Sequence, residues 1–205
     1  EAALDMMIKD KIKAELFDYH GYWQSLKYPW HILDMMAMIF KHRWQIKTAK
    51  MAGISPKATI KGKVIIEEGV KIYEGACIVG PAYIGRNTII GNNTLVRESM
   101  IGENCVVGFG SEIARSWIGD NCWFHTNYIG DSVLEENISF GAGAVTANLR
   151  LDEGEIFMKA DKEKIGTGRI KLGSIIARDV KVGVNASLMP GITLGRQALV
   201  GPNVV

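Results

Sequence analysis

From Ile54 onward the chain repeats every six residues. Ile54, Ile60, Ile66, Ile72, Ile78, Ile84, Ile90 and Val96 stand at that interval without interruption. One residue is then dropped, and Ile101, Val107 and Ile113 follow; after a second drop come Ile118, Phe124, Ile129, Leu134, Phe140 and Thr146. The period lapses over residues 147–171 and returns at Ile176, Val182, Leu188, Leu194 and Val200. A smaller residue follows many anchors by four places, as at Ala58, Ala76, Thr88, Cys105, Ser111 and Ala144. A period of six is neither helical nor a plain strand alternation. It fits short strands joined by tight corners, with anchor and small residue both pointing inward. Three such units make a triangular turn, and turns stack about 4.8 Å apart through parallel backbone pairing. The repeats predict about seven turns, a prism roughly 30 Å long, in which each turn buries its anchors only against its neighbours.

Residues 1–50 have a different grammar. They hold one Gly, Gly21, whereas 22 follow residue 50. Leu4, Met7, Ile8 and Ile12 predict a helix over Ala2 to Ile12. The aromatic stretch Ala14 to Leu26 suits a strand or hairpin. After Pro29, the stripe Ile32, Leu33, Met36, Ile39, Phe40 and Trp44 predicts a second helix. The expected division is a small α/β segment over 1–50 and the repeat domain over 51–205. The first residue is Glu1 and the last, Val205, falls inside a repeat, so the chain reads as a piece of a longer protein.

Composition excludes several classes of function. The 24 Lys and Arg nearly balance 22 Asp and Glu, for a net charge of +2, which gives no basic face for nucleic acid. The apolar run Met35–Phe40 is far too short to span a bilayer. Cys77, Cys105 and Cys122 fit neither a full disulfide set nor a zinc spacing. They suit free thiols in the cytoplasm.

Function on a solenoid is expected where the repeat breaks. Two breaks lie close together, one at Trp117–Asp131 and one after Gly141–Arg150. His125 is the only His of the repeat region. A lone His is more often structural than catalytic, but Asn127 and Tyr128 adjoin it, and Asn148 lies little more than one turn away. Stacking should bring these residues to neighbouring levels. A His with polar orienting groups beside an apolar prism is what general-base catalysis needs.

Three motifs carry a resemblance. They are His125-x-Asn127-Tyr128-x-Gly130-Asp131-Ser132, Gly141-Ala142-Gly143-x-x-Thr146-Ala147-Asn148-Leu149-Arg150, and Thr167-Gly168-Arg169-x-Lys171-Leu172-Gly173. Together with the [Leu/Ile/Val]-Gly-x-x-small repeat, they resemble the acetyltransferase half of the bifunctional sugar-1-phosphate nucleotidylyltransferase/amino-sugar-1-phosphate N-acetyltransferases. The resemblance covers residues 54–205. Gly21–Leu33 is similar to the closing strand and helix of the nucleotidylyltransferase domain, so residues 1–50 would be that domain's remnant.

The resemblance implies a left-handed parallel β-helix, although parallel crossovers are ordinarily right-handed. It implies acetyl-CoA as donor, glucosamine-1-phosphate or galactosamine-1-phosphate as acceptor, and a role in UDP-N-acetylhexosamine biosynthesis. It also implies a homotrimer with sites between subunits. His125 would deprotonate the amine, with Tyr128 and Asn148 holding the sugar phosphate or acyl group. Arg97, Arg115 and Asn127 would bind substrate, and Arg169 and Lys171 the coenzyme A phosphates. Mg2+ is implied only for the nucleotidylyltransferase domain, which is otherwise absent from this sequence. Two departures stand out: Gly154 replaces a Lys common in the archaeal-type members, and Ser25 replaces an acidic residue of the metal site. The alternative reading is a non-catalytic β-helix that oligomerises or regulates a nucleotidylyltransferase. The hexapeptide-repeat carbonic anhydrases need three His for zinc, which this repeat region does not have.

Overall fold

The computed structural model describes residues 2–42, 47–160 and 163–205. The repeat folds as a parallel β-solenoid with three faces. Two faces carry eight strands and the third carries seven. The first face runs from Lys47–Thr48 to Thr193–Leu194, the second from Gly53–Ile54 to Leu199–Val200, and the third from Thr59–Lys61 to Ser187–Leu188. The solenoid therefore has about eight turns rather than seven. The additional strand, Lys47–Thr48, pairs with Ile65–Ile66. It lies before the first apolar anchor and inside the segment assigned to the smaller unit.

The anchors fill the prism. Ile66, Ile72, Ile78, Ile84, Ile90, Ile101, Ile113, Ile118, Ile129 and Leu134 are all essentially inaccessible, as are Phe124 and Phe140, whose rings meet at 5.6 Å. Burial fades at the ends, where Ile60 is exposed and Leu194 and Val200 are only half-buried. Tight corners require a left-handed residue, and Asn87, Asn104, Asn121, Asn137 and Asn185 supply it at φ between 55° and 57°. Asn tolerates this region better than other side chains.

Buried hydroxyls and thiols rivet the corners together. Thr88 Oγ1 donates to the Gly102 carbonyl (2.8 Å) and accepts from the Cys105 N–H (3.0 Å). Cys105 repeats the pattern with Gly119 O and the Cys122 N–H. At the corner between the third and first faces, Ser99, Ser116 and Ser132 each accept the N–H of the equivalent serine one level on, at 3.0–3.1 Å, ending at Ser174. Where the small residue is Thr, Ser or Cys, it thus pairs backbone donors that would otherwise be buried without partners. Cys77, Cys105 and Cys122 are free thiols.

The first helix, α1 (Ala2–Lys9), buries nothing. The second, α2 (His31–His42), lies on the first face. Its Leu33, Met36 and Phe40 join Trp30 in a second core with Trp117, Val133 and Ile175. Trp44, counted in the expected stripe, lies outside the described residues. The excursion after Arg150 forms an antiparallel hairpin, Phe157–Ala160 with Glu163–Gly166. Ile156, Met158 and Leu172 from this excursion complete the second core. The strand or hairpin expected over Ala14 to Leu26 is not formed. Phe17, Tyr19 and Trp23 are exposed, and Tyr22 only stacks on His42 at 3.7 Å. Aromatic β-propensity is realised against a pairing partner, and this stretch has none among the described residues. No described helix is long and apolar enough to cross a membrane.

The serine ladder carries a prediction. Ser132→Ala leaves the buried Ser174 N–H without its acceptor, a change worth about 1–3 kcal/mol. Chemical denaturation should show a loss of that size.

Candidate active site

Two corners of the solenoid are shorter than the rest. In the three turns that leave the third face at Val96, Ile113 and Ile129, the corner joining it to the first takes five residues between anchors instead of six. The corner joining the second face to the third is shortened in one turn only, between Phe124 and Ile129. His125 sits in that corner. The residue after the anchor is Gly91 and Gly108 in the preceding turns and Gly141 and Gly183 in the following ones. A Cβ at Gly108 would lie 2.2 Å from the His125 carbonyl, so that turn excludes a side chain at this place. The first two turns carry Ser55 and Tyr73 there, and His125 is the imidazole between the glycines of the turns on either side. It is exposed, and its ring has no hydrogen-bond or ion-pair partner among the described residues.

Asn127 patches the shortened corner. Its Oδ1 accepts the His125 N–H at 2.7 Å, and its Nδ2 donates to the carbonyls of Gly141 and Ala144, each at 2.8 Å. Its own N–H donates to Ser111 Oγ, which in turn donates to the His125 carbonyl. Asn127 is 5% exposed. The amide expected to bind substrate is thus spent on backbone, and what it fixes is the corner presenting His125.

Tyr128 follows on the third face, in register with Glu112 in the preceding turn and Val145 in the next. Beyond it, the opposite corner holds a polar cluster around Asp131. Arg115 grips the Asp131 carboxylate with two bonds, Nε to Oδ1 at 2.7 Å and Nη2 to Oδ2 at 2.6 Å. Asn148 Nδ2 donates to the same Oδ2. Arg115 and Asp131 both lie in the left-handed region, at φ 49° and 48°. The bidentate bond to Asp131 holds Arg115 more firmly protonated than an ordinary guanidinium, with Tyr128 contributing from nearby. Arg97, one turn earlier, directs Nε and Nη2 at Glu112 Oε1, at 2.9 and 2.7 Å.

His125 and Asn148 do reach neighbouring levels, but at opposite corners of one face, with the Tyr128 strand between them. No hydrogen bond links His125 to Tyr128 or Asn148 among the described residues. Arg169 lies at the edge of the first face, where it is ion-paired with Asp34 of α2. Lys171 is exposed and makes only a backbone bridge with Leu149. Arg150 is taken up by Asp152, which also accepts the Gly154 N–H.

A cleft of about 320 Å³ separates α2 from the Asp131 corner, lined by Met36, Phe40, Lys41, Glu98, Arg115 and Arg169. Asp131 is the residue that the sequence reading passed over. Its signal was its place in the Gly-Asp-Ser motif, just beyond the strand.

Residues 63–98 match the family described as bacterial transferase hexapeptide (six repeats). Over 214 residues the chain is 35% identical to the bifunctional sugar-1-phosphate nucleotidylyltransferase/acetyltransferase of Sulfurisphaera tokodaii, an alignment covering 99% of this chain and 50% of that protein. The chain is homologous to these bifunctional enzymes. It is also 38% identical over 208 residues to the bifunctional protein GlmU of Methanococcus aeolicus, covering 99% of this chain and 50% of that one. It thus spans about half the length of the curated relatives it matches. Among solved structures, a hexapeptide transferase family protein from Anaplasma phagocytophilum aligns over 76% of this chain and 72% of its own, at 17% identity and a TM-score of 0.46.

The Asp131 cluster makes a prediction for this homologue. Asp131→Ala strips Arg115 of its carboxylate and frees the Asn148 amide, so stability should fall by about 1.5–3 kcal/mol, the range for hydrogen bonds to charged groups. Asp131→Asn should lose less, because one amide oxygen still accepts. Equal losses in the two variants, measured by denaturant unfolding, would contradict the assignment.

Proposed function

We propose that the chain transfers an acetyl group from acetyl-CoA to the amine of an amino sugar 1-phosphate, with His125 as general base. The observation that carries this reading is an imidazole with no partner among the described residues, in the one shortened corner of its column, on a chain similar to a bifunctional sugar-1-phosphate nucleotidylyltransferase/acetyltransferase. An ammonium has no lone pair, so the acceptor must lose a proton before or during attack. One proton of the ammonium leaves to solvent; His125 takes a second from the nitrogen as it bonds to the thioester carbonyl carbon, and the carbon–sulfur bond breaks with its electron pair leaving on coenzyme A sulfur. The imidazolium then gives its proton to the thiolate, leaving a neutral amide and a thiol.

The other residues divide along the third face. Asn127 and Ser111 fix the His125 corner by holding its backbone on both sides. Tyr128 lies between the base and the Asp131 corner. Asn148 and Arg115, both oriented by Asp131, present their remaining N–H groups to the acyl carbonyl or the sugar phosphate. Arg97 spends two donors on Glu112 and keeps the rest of its guanidinium for the phosphate. Lys171 is the better of the two coenzyme A candidates, because the guanidinium of Arg169 is held by Asp34. A base and an amide corner at opposite ends of one face suit a ligand pair lying across it. We further propose that the active form is a homotrimer in which a neighbouring prism walls this face. Residues 1–50 are read as the connection to a nucleotidylyltransferase domain.

Two measurements test this reading. His125→Ala should lower acetyl transfer by about 10²- to 10⁴-fold, the usual contribution of a positioned base, with little change in melting temperature. Near-normal turnover in the folded variant would sink the mechanism. Light scattering at micromolar concentration should give the trimer mass, and a monomer alone would remove the proposed subunit groove.

A further inference from the structure

The third face carries a column of residues that immediately follow the anchors. Lys61, Val79, Arg97 and Ala114 occupy it in register, and Gly130 comes next. Every earlier turn places a side chain there, so the solenoid backbone accepts one. Gly130 does not need glycine for its backbone either, since its φ lies outside the left-handed region. What excludes a side chain is Tyr128. A Cβ built on Gly130 would stand 2.5 Å from Tyr128 Oη, 2.7 Å from Cζ and 2.8 Å from Cε1, its three closest neighbours. Carbon atoms pack at about 3.5–4.0 Å, so the Tyr128 ring occupies the space where a Cβ would be.

This geometry says how the ring lies. Tyr128 points outward from its strand, as the alternation of the strand requires. Its ring then folds forward along the strand, over Gly130, instead of projecting away from the face. The hydroxyl is thereby carried past Ile129 to the residue before Asp131, toward the Arg115–Asp131–Asn148 cluster. Ala114 lies beside Gly130 in the preceding turn and adds no bulk that would lift the ring.

We propose that Gly130 is a positioning residue for acetyl transfer: the missing side chain is the seat on which the Tyr128 ring lies, aiming its hydroxyl at the Asp131 corner. The inference rests on the acetyltransferase reading above for its catalytic consequence, but not for its geometry. A side chain at 130 must displace the ring until contact is restored at about 3.5 Å, moving the hydroxyl by the ~1 Å that already costs about 10²-fold in well-tuned sites.

The test is a double-mutant cycle with Gly130→Ala and Tyr128→Ala in the full chain, with acetyl-CoA and glucosamine-1-phosphate or galactosamine-1-phosphate as substrates. Gly130→Ala alone should lower kcat/KM by about 10- to 100-fold and melt close to the parent. In the Tyr128→Ala background the same substitution should change kcat/KM by less than about twofold, because the ring it displaces is gone. Losses that multiply across the two backgrounds would overturn the proposal by assigning Gly130 an effect independent of Tyr128. A crystal structure of Gly130→Ala supplies the second arm. A displaced Tyr128 ring is expected, and a ring unmoved over the added methyl refutes the seat whatever the kinetics. If the parent chain transfers no acetyl group while the ring does shift in Gly130→Ala, the functional reading fails and the seat stands on its structure.

Discussion

Every turn of this solenoid hydrogen-bonds to the next through its backbone, and that stacking fixes what each position can be. Nearly all anchors are apolar because they meet other anchors, with Thr146 the polar exception. The corner residue is a hydroxyl, a thiol or a small or branched aliphatic because it stands directly beneath its counterpart. The residue after the anchor at the second-to-third corner is glycine in the turns flanking His125, because a Cβ there would strike the turn beyond. With so many positions dictated by stacking, the turns whose lengths differ from the rule are where other side chains are admitted.

The His125 turn is such a place. Dropping one residue between Phe124 and Ile129 would strand backbone groups of the corner, and Asn127 compensates with a longer side chain than Ser111 or Ala144 at the equivalent position. The same deletion is where the glycine column admits an imidazole. The far corner is also short, and there the left-handed residues carry charged side chains, Glu98, Arg115 and Asp131, in place of the asparagines used elsewhere. The polar cluster is thus built from turn residues that the shortened repeat required in any case.

This logic explains what could be read from the sequence. The anchors were legible because each is a large aliphatic or aromatic residue at a fixed interval. The strand Lys47–Thr48 was not, because it pairs through its backbone and presents no apolar anchor. The aromatic stretch Ala14 to Leu26 read as strand because of its residue types, yet propensity without a pairing edge forms no strand. The excursion after Arg150 showed only as a gap, although Ile156, Met158 and Leu172 cover the first face together with α2. At the site, the repeat breaks located His125, Tyr128 and Asn148 on one face. Their placement at opposite corners was hidden, since it depends on how many residues each corner takes. Asn127 illustrates the limit: its polar amide next to a candidate base looked available for substrate and is in fact consumed by backbone.

The most direct test of the central claim is a crystal structure of the protein with coenzyme A and an amino sugar 1-phosphate bound. The account predicts that the sugar lies on the third face with its amine nitrogen about 2.6–3.2 Å from an imidazole nitrogen of His125, or one water away. An amine bound elsewhere on the prism, beyond the reach of His125 directly or through one water, would contradict it.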